Sequence, residues 1–271
     1  MSPPSTTWHG GGSLSVVGSG IRPGLHLTQE ARARIEGADD VLYLLAEVAP
    51  TTWIERLNPA GQSLRPLYRP GRDRSEVYEE IVEAVMAKVR SGRDVCMVTY
   101  GHPLVFDDSS HEAVRRARAE GFPARVLSAI SSMDCLFVDL GIDPGSRGLQ
   151  LFDATDFLVH RRTPDPSVPL LLWQFTVVGR TKTTGTVNRR GLQMLATRLA
   201  ELYGEDHEVV IYEATPFPVG VPLIERTAVK DLPTTAISGL STLFVPPASP
   251  PPVDSAILER LDDRVDADEA R

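Results

Sequence analysis

Between Leu14 and Leu45 the chain alternates structure types inside about thirty residues, and that alternation narrows the fold more than any other feature. Leu14-Ser-Val-Val17 is a short apolar run that breaks at Gly18-Ser-Gly20 and Pro23-Gly24; Thr28 with acid close behind marks a helix start; the helix passes Ile35 to Gly37; and Val41-Leu-Tyr-Leu-Leu45 is a second buried strand. Two strands joined through a helix run parallel, and a parallel sheet needs cover on both faces. An α/β fold follows. The paired glycines permit a tight turn, but the third glycine of a dinucleotide fingerprint is missing.

A later stretch, Val95-Cys-Met-Val-Thr-Tyr-Gly-His-Pro-Leu-Val-Phe106, reads as a buried strand broken at Tyr100-Gly101-His102-Pro103. Glycine beside proline sets a sharp turn at the strand's carboxyl end, which is where open α/β sheets bind ligands. The Tyr100 phenol and His102 imidazole are placed to touch a ligand there. A loop with a packed tyrosine and a solvated histidine would carry the same letters.

Around these stretches the chain divides. Residues 1 to 12 read as a disordered lead-in, and Pro50 to Pro70 as a looser stretch. A helix is expected from about Glu76 to Arg90, with Val77, Ile81, Val82, Val85, Met86 and Val89 at helical spacing. Another spans His111 to Glu120, Ala124 to Leu127 is a strand, and a serine caps an apolar helix from Met133 to Leu140. Small residues before that helix leave its amides able to face a ligand, or serve only as caps.

Past Gly141 strands are expected at Leu149–Phe152, Pro169–Phe175, Glu208–Tyr212, Arg226–Lys230 and Ser241–Phe244, with a helix from Gly191 to Tyr203. The organisation predicted is a lead-in (1–12), an N-terminal α/β domain (13–124), a C-terminal α/β domain (125–245) with a more mixed sheet, and a Pro-rich acidic tail (246–271) holding a short helix from Ser255 to Val265.

Composition removes several function classes. A formal net charge of −8 argues against a general nucleic-acid or anionic-membrane binder. Cys96 and Cys135 are the two cysteines, so no disulfide framework or thiolate zinc cluster is expected, and with few acids at ligand spacing neither is any other metal site. Without a signal-like start or a run of about eighteen apolar residues, the expected location is the cytoplasm.

Val16-Val-Gly-Ser-Gly-Ile-Arg-Pro-Gly-Leu-His-Leu-Thr-Gln-Glu-Ala31 with Ala38-Asp-Asp-Val-Leu-Tyr43 resembles the opening of the tetrapyrrole methylase superfamily, the class III S-adenosylmethionine methyltransferases. Gly92 to Phe106, Ala124 to Asp134 with Leu140 to Asp143, and Val209 to Pro216 agree in order, spanning about residues 13 to 245. The resemblance implies two α/β domains with the methyl donor in the cleft between them, and a homodimer. Superfamily members usually have Gly-Asp-Pro where this chain has Gly101-His102-Pro103, and Pro-Gly at Ser128-Ala129, which points away from tetrapyrrole, diphthamide or ribosomal-RNA substrates. Tyr68-Arg-Pro-Gly-Arg-Asp-Arg-Ser-Glu-Val-Tyr78, Tyr100-Gly-His-Pro103, His111 and Trp173-Gln174 look instead like the borosin α-N-methyltransferases, which methylate backbone amides of a ribosomally made peptide.

Carried over residue by residue, that resemblance implies a catalytic set of Tyr68, Arg74, Tyr78 and Tyr100. It implies cofactor contacts from Tyr100, His102, Val105, Phe106, Ser131, Gln174 and Ala214. His102 is expected on the cofactor's carboxylate or ribose, and His111 in a structural role. The residue types suit the chemistry. An amide nitrogen whose lone pair is delocalised is a poor nucleophile until its proton is removed. A phenol with pKa near ~10 becomes a usable base only where cations favour the phenolate. Arg74 can do so, or can polarise the carbonyl; Tyr68 and Tyr78 share the roles of base and proton relay without an assignment between them; and Tyr100 orients the methyl group or the amide.

Fused fungal relatives carry their substrate at their own C-terminus. This tail has no apolar segment suited to be the product, so the precursor is expected in trans, with a homodimer or a heterotetramer as the assembly. A tetrapyrrole or other small-molecule methyltransferase is the alternative enzyme, and a catalytically idle methylase fold that binds a peptide or protein is the alternative without chemistry.

Overall fold

The computed structural model describes residues 11–45, 52–183 and 186–261. Most of the expected lead-in, part of the 50–70 stretch and the end of the tail lie outside these residues.

The first half is a five-stranded, all-parallel sheet. In chain order its elements are β1 (Ser13–Gly18), α1 (Gln29–Gly37), β2 (Asp40–Leu44), α2 (Thr52–Leu57), β3 (Gly61–Ser63), α3 (Arg74–Arg90), β4 (Asp94–Thr99), α4 (Asp108–Ala119) and β5 (Ala124–Val126). The strand order is β3-β2-β4-β1-β5. Strand alternation supplies both faces. Val95 and Met97 of β4 face α3 and α4, while Cys96 and Val98 face α1 and α2. All six apolar positions expected of α3 are buried. The stretch read as loose contains α2 and β3; β3 is a three-residue edge strand, too short for its period to show in the letters.

The second half comprises α5 (Ser132–Leu140), α6 (Pro144–Arg147), β6 (Gln150–Asp153), α7 (Ala154–Val159), β7 (Leu170–Trp173), α8 (Arg189–Tyr203), β8 (Glu208–Glu213), β9 (Leu223–Ala228), β10 (Thr242–Val245) and α9 (Ser255–Arg260). Its sheet has the order β6-β7-β10-β8-β9, with β6–β7 parallel and the remaining pairs antiparallel. Phe157 of α7 with Leu192, Leu195 and Leu199 of α8 cover one face, and Leu136 of α5 packs on the other. The molecule therefore has two α/β domains. The dividing line expected at Arg125 falls inside β5, whose pairing with β1 extends the first sheet through Val126.

Two glycine turns meet at the carboxyl edge of the first sheet. Gly20 and Gly101 exchange amide–carbonyl hydrogen bonds, each 3.2 Å, which ties the loop after β1 to the loop after β4. Gly18 sits beneath this latch, and a Cβ there would lie 2.1 Å from the Gly101 carbonyl oxygen and 2.5 Å from the Ala129 Cβ.

Candidate active site

Beside the latch, where β2 and β4 end and β7 runs out opposite them, lies a cavity of about 330 Å³. That size falls within the range of small-molecule sites, about 300–1,000 Å³. Of the expected residues, Tyr68, Tyr78, Tyr100, His102, Val105, Phe106, Ser131 and Gln174 all line it. They come from both halves of the chain and are separated by up to a hundred or so positions, so it is the docking of the two sheets that assembles them.

Tyr68 follows a 3-10 turn at Arg65–Leu67, and Tyr78 lies early on α3; their ring centroids are 6.3 Å apart at 51°. Burial pushes the Tyr68 phenol well above its ordinary pKa, and the neighbouring Tyr78 and Asp107 push the same way. Arg74 pulls against them without prevailing. The expectation that cations hold this phenol down is thus reversed among the protein's own groups, because desolvation of the phenolate outweighs one partly solvated guanidinium. Tyr100, anchored by its amide on the Leu44 carbonyl (3.2 Å), is pushed up to about 12, chiefly by burial and then by Cys135 and Glu213.

The turn after Tyr100 is shaped by its own hydrogen bonds. Gly101 has φ +71, a conformation open to glycine. The Leu104 amide donates to His102 Nδ1 at 3.2 Å, which leaves Nε2 as the protonated nitrogen of the neutral ring and a donor for a ligand. The ring Nε2 of His111 meets the Leu104 carbonyl at 3.1 Å, a contact that pins the turn and fits a structural role. Phe106 (φ 57) and Gln174 (φ 57) are two of three described non-glycine residues in the left-handed region, and both face the cavity from opposite halves. Such backbone persists only where surroundings hold it, and it gathers at binding sites. Phe106 packs edge-on to Trp173 with centroids 4.6 Å apart.

Ser131 is buried and caps α5 in a reciprocal box: its hydroxyl donates to Asp134 Oδ2 (2.7 Å), its amide does so at 2.6 Å, and the Asp134 amide returns to Ser131 Oγ at 3.4 Å. Two expected residues do not line the cavity. Arg74 opens α3, near enough to act electrostatically on the Tyr68 phenol, and Ala214 packs against the cluster that holds Tyr212 and Phe244. Lining residues that sequence reasoning passed over include Asp107, Arg65 and the segment Gly239–Thr242. Asp107 was visible as an acid just ahead of a helix; nothing in the letters marked the others. No group of three metal-ligating side chains occurs among the described residues, and no described helix is long and apolar enough to cross a membrane.

The donor set suits a nucleoside-bearing cofactor. Phe106 and Trp173 offer flat apolar faces, His102 Nε2 a donor, and the Gly101–Val105 turn backbone groups at close approach.

A curated relative from Gymnopus fusipes, a methyltransferase and ribosomally synthesised cyclic peptide gymnopeptides precursor, is 35% identical over 263 residues, covering 95% of this chain and 63% of its own length. A methyltransferase and type I borosin cyclic peptide precursor from Coprinopsis marcescibilis is 38% identical over 246 residues, 88% of this chain and 63% of that protein. The chain thus spans less than two thirds of the length of these relatives. Among solved structures, uroporphyrin-III-C-methyltransferase from Thermus thermophilus superposes with a TM-score of 0.62 at 22% identity, over 88% of this chain and 93% of that one, a likeness of fold. The family model described as Tetrapyrrole (Corrin/Porphyrin) Methylases matches residues 13–217. With that match over most of its length, the chain belongs to the tetrapyrrole methylase family.

Proposed function

We propose that this protein is an S-adenosylmethionine-dependent methyltransferase that N-methylates backbone amides of a ribosomally made peptide supplied as a separate molecule. The observation that carries the reading is the convergence of three phenols, Tyr68, Tyr78 and Tyr100, on one cavity with the Gly101–Phe106 turn. The names of the fungal relatives, which join a methyltransferase to a peptide precursor, support the substrate class. The proposed assembly is a homodimer, with or without bound precursor, in the cytoplasm.

The cofactor supplies the methyl group as an electrophile when bound. His102, Val105, Phe106, Ser131 and Gln174 line the space proposed for it. Activating the amide is the work of the tyrosines. An amide N–H resists deprotonation near neutral pH, so a base must sit within hydrogen-bond reach and the oxygen charge that develops must be stabilised. Tyr68 and Tyr78 are neighbours in the cavity and form the base and relay pair. Burial holds the Tyr68 proton on and Arg74 alone does not offset it, so a second positive charge is needed to favour the phenolate, as the sulfonium of the cofactor would provide when bound. Tyr100, its phenol kept protonated at neutral pH, donates a hydrogen bond and orients the amide rather than taking its proton.

The test is intact-mass analysis of a small precursor encoded beside this protein after co-expression. Steps of one methyl, located by fragmentation on backbone amides, are the expected result. Cofactor binding with no methyl on any encoded neighbour would refute the reading, and methylation of a tetrapyrrole instead would replace it.

A further inference from the structure

The turn between Tyr68 and Arg74 is gripped from the other half of the chain. Thr183, 7% exposed, holds it through both backbone and side chain. Its amide donates to the Arg72 carbonyl (2.8 Å), and its carbonyl accepts from the Gly71 amide (2.8 Å). Its hydroxyl donates to the Arg69 carbonyl (2.5 Å), with the Arg72 carbonyl oxygen 3.2 Å away. Two residues earlier, the Thr181 carbonyl accepts from the Arg74 amide (2.9 Å), and between them Lys182 faces Asp73 across an isolated antiparallel bridge.

These bonds have a consequence for the tyrosines. The Arg74 amide belongs to the first turn of α3 and has no partner within the helix, so Thr181 satisfies it from outside. Gly71 has φ +86 with nothing within 4 Å of a would-be Cβ, so packing around Gly71 does not shape the turn; the bonds from the other half hold it together with its own Arg72 amide to Arg69 carbonyl bond (3.4 Å) and the Arg72–Glu80 ion pair (2.6 Å). Tyr68 lies just before the turn and Tyr78 just after it, and the distance between their rings depends on how the turn is held. The partners are more than a hundred residues apart in sequence, so the bonds form only when the two halves dock. Thr183 itself lies outside the cavity, in a shallow hollow it shares with Pro70, Gly71 and Lys182.

We infer that Thr183 is a positioning residue for the proposed reaction: through the 69–72 turn it keeps Tyr68 and Arg74 in register with Tyr78, and so makes the tyrosine site dependent on docking of the two halves. This inference rests on the methyltransferase reading. The hydroxyl is the separable part, because valine keeps the β-branched shape and the backbone bonds but removes the hydroxyl donor to the Arg69 carbonyl, which keeps only the longer bond from the Arg72 amide (3.4 Å). Serine restores the donor.

The experiment compares wild type, Thr183→Val and Thr183→Ser by turnover on the methylated precursor, cofactor affinity by calorimetry, and hydrogen exchange at the Gly71 and Arg74 amides. Expected for Thr183→Val are cofactor affinity within about threefold of wild type, kcat lower by about tenfold to a hundredfold, and faster exchange at both amides, with Thr183→Ser near wild type throughout. Wild-type kcat in Thr183→Val overturns the inference. So does loss of folding or of cofactor affinity in that variant, which would make the role structural, and so does a serine variant as slow as valine. If wild type methylates no peptide at all, the functional reading fails, and exchange decides the grip alone: at least about tenfold faster at both amides in Thr183→Val sustains it, unchanged exchange refutes it.

Discussion

Replacing Gly18 with alanine is expected to break the latch that floors the cavity. The added Cβ would stand 2.1 Å from the Gly101 carbonyl oxygen, 2.5 Å from the Ala129 Cβ and 2.9 Å from the Pro103 Cδ. Backbone and a proline ring have no rotamer to yield, so the Gly101 turn must recede by roughly 1.3 Å to reach ordinary contact. Overpacking of this kind costs about 1–3 kcal/mol, and losing one or both Gly20–Gly101 hydrogen bonds adds about 0.5–1.5 kcal/mol each. At about 2–4 °C per kcal/mol for a chain of this size, Tm should fall by about 3–24 °C. The same turn carries His102, Val105 and Phe106 into the cavity, so cofactor affinity should drop as well, and an ångström of displacement is worth about a hundredfold in rate. Differential scanning calorimetry with and without cofactor reads both effects. The control is Gly37→Ala at the end of α1, where a Cβ meets nothing within 4 Å and helix propensity favours alanine. A Gly18→Ala protein that melts within about 2 °C of wild type and binds cofactor equally would refute the close-approach argument.

Arg74→Ala and Tyr78→Phe should each keep cofactor affinity within a few-fold and lose about a hundredfold or more in kcat, read by mass spectrometry of the peptide product. Tyr100, protonated in the fold above its ordinary pKa, adds stability that is full below about pH 10 and drains away as pH rises towards about 12; thermal melts across that window should show the loss, and Tyr100→Phe should reduce it without abolishing it, since Tyr203 and the two cysteines are raised as well. Asp40, buried between Lys88 (3.0 Å) and Arg93 (2.7 Å), carries a pKa held low by those cations against the opposing effect of burial. Its contribution is present above the ordinary carboxylate range and lost as pH falls through the folded-state value, and Asp40→Asn should destabilise by about 1–3 kcal/mol in urea melts at neutral pH.

The parallel half was legible because its signals are local. Thr28 caps α1 by accepting from the Ala31 amide, as an acid-following threonine should, and the six apolar positions of α3 fall on one buried face. The Tyr100-Gly101-His102-Pro103 break announced a turn at a strand end, and it is one. The second half is less legible. The strand expected at Arg226–Lys230 is Leu223–Ala228 in the fold, because β9 is a largely exposed edge strand in which polar and apolar residues mix and little burial writes a pattern. The segment Gly239–Thr242 lines the cavity for a reason no local pattern encodes: β10 happens to begin where β7 ends.

Residue type and spacing settled the parallel topology and the caps, since each depends on interactions reaching a few positions along the chain, whereas Tyr68, Tyr78 and Tyr100 were singled out by resemblance to a known family. The docking of two sheets settled the rest. It brought Ser131 and Gln174 into one cavity with Tyr100, left Arg74 outside that lining, reversed the expected sign of the Tyr68 shift by burying it, and set Thr183 against a turn more than a hundred residues away. Burial and long-range hydrogen bonding are properties of the folded surface, and a string of residues acquires them only when loop closure has been offset by packing.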